Sequence, residues 1–123
     1  MMLVDTSVWI DHLRRGNARL VAALEGGLVR SHPFIIGEIG LASLRQRQVI
    51  LTDLSALPQV TIATDAEVMA LIESERLYGL GVGFVDVHLI AATRLTPGVR
   101  LWTLDRRLAT VADRLGLDAL SAP

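Results

Sequence analysis

Four acidic residues, Asp5, Glu38, Asp86 and Asp105, each stand inside or at the end of a mainly apolar stretch. Carboxylates gathered in one place repel one another, so a cluster of them is expected only where something cationic binds. A ligand set made of oxygen alone suits a hard ion such as Mg²⁺ or Mn²⁺, which keeps part of its water and bridges to phosphate. An ion held in this way lowers the pKa of a bound water and neutralises a scissile phosphate, which is the chemistry of phosphodiester cleavage. The number of carboxylates does not decide between one ion and two.

Each acid also has a plainer reading. Asp5 follows the apolar run Met2-Leu3-Val4 and could simply cap the next helix, although Thr6 and Ser7 could do that instead, or orient the carboxylate. Asp105 repeats the pattern after Leu101-Trp102-Thr103-Leu104. Asp86 falls in the first turn of an apolar helix, where the helix dipole favours an acid, and it shares a helical sector with Ile90 and Thr93. Glu38 lies in Phe34-Ile35-Ile36-Gly37-Glu38-Ile39-Gly40-Leu41-Ala42, a segment apolar nearly all round and expected to be buried. A buried carboxylate needs a cation, a hydrogen-bond network or a proton, with Arg45 the nearest arginine that could serve.

The elements that must position these acids alternate between strand and helix. Met2 to Val4 reads as a strand, with helices from Val8 to Arg15 and from Ala18 to Glu25, the latter capped by Asn17 and ended by Gly26-Gly27. Leu28 to Ser31 reads as a short strand, and Pro33 opens a helix to about Gln46, followed by one from Val49 to Leu57. Val60 to Ala63 is strand-like. Thr64-Asp65-Ala66-Glu67 is a capping box opening a helix to about Tyr78, and a helix from Val85 to Leu95 follows the glycine-rich link. Arg100 to Leu104 reads as a strand, Arg106 to Leu115 as the last helix, and Leu117 to Leu120 as an edge strand. Such alternation implies βα units and a mainly parallel sheet covered on both faces, whose ligands bind beyond the carboxyl ends of the strands. Asp5 and Asp105 would then open on the same edge.

The 123 residues are expected to form one domain, without an internal repeat or linker. The absence of cysteine excludes thiolate metal sites, disulfides and thiol redox chemistry. No export signal precedes Asp5 and no apolar run reaches the ~20 residues of a membrane span, so a cytoplasmic protein without membrane contact is expected. A net charge of −1 offers no general attraction for nucleic acid, but a metal ion can invert the sign of an acidic pocket. All twelve basic residues are arginine. A hydrophobic fraction of 51% and a mean hydropathy of +0.45 fit either a Leu-, Ala- and Val-rich core or an apolar partner surface.

The segment Met2-Leu3-Val4-Asp5-Thr6-Ser7-Val8-Trp9-Ile10-Asp11 resembles the first-acid motif of the PIN-domain nucleases, and closely that of VapC-type toxins. Glu38 in its apolar helix resembles the second acid, Phe84-Val85-Asp86-Val87-His88-Leu89-Ile90-Ala91-Ala92 the third, and Thr103-Leu104-Asp105-Arg106-Arg107-Leu108 the fourth. The resemblance implies a three-layer α/β/α PIN-like domain with Mg²⁺- or Mn²⁺-dependent endoribonuclease activity, RNA as substrate, a homodimer, and a small cognate antitoxin laid across the acidic groove. It makes Asp5, Glu38, Asp86 and Asp105 catalytic, with Asp5, Asp86 and Asp105 on the metal and Thr6, Ser7 and Thr103 in support. His88 departs from the pattern, and being two residues after Asp86 on a helix it is read as a packing or dimer contact.

Other residues are read plainly. The glycines at 79, 81 and 83 follow a helix, so they read as a flexible link rather than a phosphate loop. His12 and His32 lack metal-ligand spacing and read as surface or packing residues. Trp9, Tyr78, Phe84 and Trp102 read as core or interface. Arg14, Arg15, Arg106 and Arg107 could hold RNA phosphates or be solvated helix ends. Two further functions fit the acidic pattern: a non-catalytic interaction module of the same fold, and a phosphoacceptor or phosphatase domain, which the lack of lysine disfavours.

Overall fold

The computed structural model describes residues 1–119. Its centre is β1 (Met2–Val4), paired in parallel with β2 (Val29–Arg30) on one side and β3 (Arg100–Trp102) on the other. The strand order is β2-β1-β3, so the chain leaves β1 in one direction and later returns to its other flank. That reversal makes the carboxyl end of β1 a topological switch point, where open α/β sheets form crevices. Successive strand residues point to opposite faces. Leu3 and Val4 are both fully buried, as are Leu101 and Trp102 to within 2%. Helices therefore cover both faces of the sheet, and the fold is three-layer α/β/α.

Between β1 and β2 run α1 (Thr6–Arg15) and α2 (Ala18–Glu25), the second opened by Asn17, whose side chain accepts the Leu20 N–H. Four helices separate β2 from β3: α3 (Pro33–Gly40), α4 (Arg47–Ala56), α5 (Asp65–Ser74) and α6 (Phe84–Leu95). The last, α7 (Arg106–Arg114), follows β3 and turns Leu108, Val111 and Ala112 into the core.

Several elements are shorter than the sequence suggests, for local reasons. The helix expected to reach Gln46 stops at Gly40, where two glycines within four residues weaken it and Arg47 Nε donates to the Gly40 carbonyl. The helix expected to reach Tyr78 stops at Ser74, because Arg76 adopts φ 53° and the Leu77 N–H closes onto the Ile72 carbonyl. Left-handed helix ends are usually marked by glycine, and here the mark is missing. The run Val60 to Ala63 forms no strand. A single bridge joins Gln59 to Ser31, after which the Thr61 N–H is taken by Thr96 Oγ1. At the opposite edge Asp118 bridges to Leu101, and Leu120 of the expected edge strand lies outside the described residues.

Candidate active site

Asp5 sits directly after β1, and its N–H donates to the Trp102 carbonyl at 2.9 Å, which locks it against the end of β3. It occupies the N-cap position of α1, yet its side chain makes no capping hydrogen bond. The carboxylate is 6% exposed and instead accepts from two hydroxyls at one oxygen: Ser7 Oγ at 2.7 Å and Thr103 Oγ1 at 2.8 Å donate to Oδ2. Each hydroxyl is itself anchored, since Ser7 Oγ accepts the Leu104 N–H and Thr103 Oγ1 accepts the Asp105 N–H, both at 3.0 Å. The parallel register puts Thr103 beside Asp5, just as Val4 pairs with Trp102. Thus the end of β1, the end of β3 and the entry to α7 share one clasp.

Asp105 caps α7: its Oδ1 accepts from the Arg107 and Leu108 N–H groups at 2.9 and 3.2 Å. Capping and facing the pocket are compatible, because Oδ2 takes no part in the cap. Asp86 stands in the first turn of α6, where Oδ2 accepts the Gly83 N–H at 3.0 Å. Its carboxyl is pushed above the usual carboxylate range by burial, with a smaller push from the charges of Asp5 and Asp105, and the Gly83 N–H works the other way. The charges of Asp5 and Asp105 therefore act on Asp86 from two distant segments.

Glu38 corrects the sequence reading. It is exposed, not buried, because α3 buries only the stripe containing Ile35 and Ile39 and turns Phe34, Gly37 and Glu38 outward. With two glycines and eight residues, a helix apolar by composition still has one open face. Glu38 reaches the site through Thr6, whose Oγ1 donates to its Oε1 at 2.8 Å. Arg45 does not pair with it, and the ion pairs Asp11–Arg15, His88–Asp65 and Glu75–Arg94 lie elsewhere. None of these neutralises Asp5, Glu38, Asp86 or Asp105.

Could these side chains hold a metal ion? Their donors are all oxygen, they lack protein cations, and Asp5 is already desolvated, which suits a hard divalent ion. The geometry is open, however. Among the described residues, no group of three or more acidic or histidine side chains stands ready-made around a single point. A hard ion that keeps several waters needs only one or two carboxylates, so the donor set fits such an ion without a closed cage.

Of the two readings open for His32, surface or packing, the structure has packing: it is fully buried, and its Nδ1 accepts the Phe34 N–H at 3.0 Å as the cap of α3. Burial lowers its pKa to about 4, helped by His88. His88 packs edge-on between Phe34 and Phe84, both centroids at 4.9 Å, with Nε2 2.9 Å from Asp65 Oδ1. Trp9 and Trp102 are core, whereas Tyr78 and Phe84 are exposed. The sequence suggests Thr6 as support for Asp5, and its bond to Glu38, 32 residues away, has no local signal there.

Comparison with known proteins gives a consistent picture. The family model of the PIN domain matches residues 2–114. A protein named Ribonuclease VapC32, from two strains of Mycobacterium tuberculosis, is 44% identical over 117 residues, which cover 95% of this chain and 94% of that protein. A protein named Ribonuclease HII from Chloroflexus aurantiacus is 31% identical over 126 residues, covering 99% of this chain and 59% of that protein.

Proposed function

Because this chain belongs to the PIN-domain family, we propose that it is a Mg²⁺- or Mn²⁺-dependent endoribonuclease acting as the toxin of a VapC-type toxin–antitoxin pair. The observation that carries this reading is the carboxylate of Asp5. It is buried at the switch point of the sheet, held by two neutral hydroxyls, coupled by charge to Asp86, and among the described residues joined to no cation by the ion pairs above. Asp5, Asp86 and Asp105 would hold the ion through oxygen, and a bound ion supplies an activated water and charge neutralisation at the phosphate. Ser7 and Thr103 fix the carboxylate of Asp5, and Thr6 fixes Glu38 at the rim, where it can orient water or accept a proton. A homodimer, a cytoplasmic location and inhibition by a small antitoxin complete the proposal.

The test is cleavage of mixed cellular RNA by purified protein with Mg²⁺ or Mn²⁺, with chelator, and as Asp5→Asn. Cleavage should need the ion and fall by more than about 100-fold in the variant, beyond the usual cost of a residue that only supports a ligand. Equal cleavage by Asp5→Asn refutes it. The openness of the acid group favours a second reading, a non-catalytic module of the same fold. Calorimetric titration with Mn²⁺ separates the two: the module predicts no binding, or equal binding by Asp5→Asn.

A further inference from the structure

Beside the acidic site, the first residues of α7 line a cavity of about 250 Å³ together with the glycine-rich link. Its walls are Arg106, Arg107 and Arg114, with Thr110, and its floor is Leu80 and Val111. Arg107, Thr110 or Val111, and Arg114 are spaced i, i+3 or i+4, i+7, so they share one face of the helix. Arg114 is steadied by a neutral group, donating to the Glu75 carbonyl. Arg107 lies across Gly81, which has φ 79°, and a Cβ added there would meet its guanidinium at 2.7 Å. The bare glycine makes room for that side chain.

Three guanidinium groups around one cavity repel each other unless an anion sits among them, and their planar donors match phosphate oxygens two at a time. The cavity begins where Asp105 ends, since the N–H of Arg107 is bonded to its Oδ1. From Arg107 to Arg114 the helix rises about 10 Å at 1.5 Å per residue, close to three steps of the roughly 3.4 Å axial rise per nucleotide of a stacked strand. An apolar floor between basic walls also suits a base or sugar of a single strand. We propose that this cavity binds the phosphate backbone of single-stranded RNA next to the bond being cut, with Gly81 seating Arg107. The proposal rests on the ribonuclease reading above and adds the track along which the RNA lies.

The test uses the full chain in an Asp5→Asn background, so that binding is read without cleavage, with a fluorescein-labelled mixed-sequence RNA oligonucleotide followed by anisotropy across salt concentration. Arg106→Ala/Arg107→Ala should weaken binding by at least about tenfold and reduce the slope of log K against log salt by about 1.4, roughly 0.7 per lost contact. Arg30→Ala/Arg100→Ala, an equal charge change at the other end of the sheet, should not. Gly81→Ala should weaken binding as Arg107→Ala does, while Gly79→Ala, equally left-handed at φ 75° but with nothing within 4 Å, should leave it unchanged. Circular dichroism checks that each variant is folded. An unchanged affinity and salt slope in the α7 pair overturns the proposal, as does an equal loss in the control pair. Unchanged RNA binding with lost binding of a poly-glutamate peptide reassigns the cavity to an acidic protein segment and equally overturns it. Cleavage measured with Asp5 restored separates the two levels. A chain that cleaves with the pair variant at wild-type KM keeps the ribonuclease reading and loses this site. A chain that does not cleave, but binds RNA through these arginines, does the reverse.

Discussion

Replacing Thr103 with valine removes one hydroxyl from a position 1% exposed while nearly preserving its shape. That hydroxyl donates to Asp5 Oδ2 at 2.8 Å and accepts the Asp105 N–H at 3.0 Å. A hydrogen bond to a charged group contributes about 1.5–3 kcal/mol, and an orphaned N–H adds about 1–3 kcal/mol if it stays dry. Because the Asp105 N–H is only partly buried, water relieves some of the second cost, and the sum is about 2–4 kcal/mol. Thr103→Ser keeps the hydroxyl and loses one methyl group, about 1 kcal/mol. Urea unfolding followed by far-ultraviolet circular dichroism should therefore show a midpoint lower by about 1–2 M for valine with an unchanged slope, and a much smaller shift for serine. RNA cleavage should fall at least tenfold for valine and be largely retained for serine. A double-mutant cycle with Asp5→Asn should return a coupling above about 0.5 kcal/mol. The reasoning fails if valine costs less than about 0.5 kcal/mol, or if serine costs as much as valine.

Asp86→Asn should abolish cleavage yet stabilise metal-free protein at pH 7 by up to about 1 kcal/mol, measured in chelator. The raised pKa means that ionised Asp86 opposes folding: its favourable contribution is complete below the unfolded value of 3.8 and is lost as pH rises through the folded value. The gain should vanish at pH 3. His32 has the opposite profile for a base: its folded pKa is depressed from 6.5 to about 4, so its contribution is present above 6.5 and lost as pH falls towards 4. That loss is up to about 3 kcal/mol, and His32→Asn, which can still accept the Phe34 N–H, should flatten the acid limb of a stability–pH curve. Thr64→Ala removes the reciprocal bonds between Thr64 and Glu67 at the start of α5, and should lower stability by about 1 kcal/mol in urea unfolding without changing cleavage per folded molecule.

The elements legible in the sequence are those whose signals are local. Met2–Val4 is a short apolar run closed by capping residues, Asn17 caps α2, and Thr64 with Glu67 marks α5; each rests on neighbours within one turn. Where the structure stops a helix with Arg76 in a left-handed conformation, or breaks α3 at Gly40, the outcome depends on packing and on a distant arginine, and the sequence reading runs too long. The same division holds at the site. Asp5 and Asp105 are recognisable as acids at strand ends, because strand and cap both read locally. Glu38 is misjudged, since the composition of a helix does not say which of its faces meets a neighbour.

The sequence by itself determines that four carboxylates occur, that the chain alternates strand with helix, and that two of the acids follow strands. Only the tertiary structure decides that Asp5 and Asp105 act on Asp86 and that Glu38 reaches Thr6. The bond from Thr103 to Asp5 spans 98 residues, that from Thr6 to Glu38 spans 32, and the push of Asp5 and Asp105 on Asp86 joins three separate segments. The physical reason is range. Caps and hydrophobic periods act through adjacent turns, whereas an acidic pocket is an electrostatic object, whose charges come within range of one another only through the folded sheet.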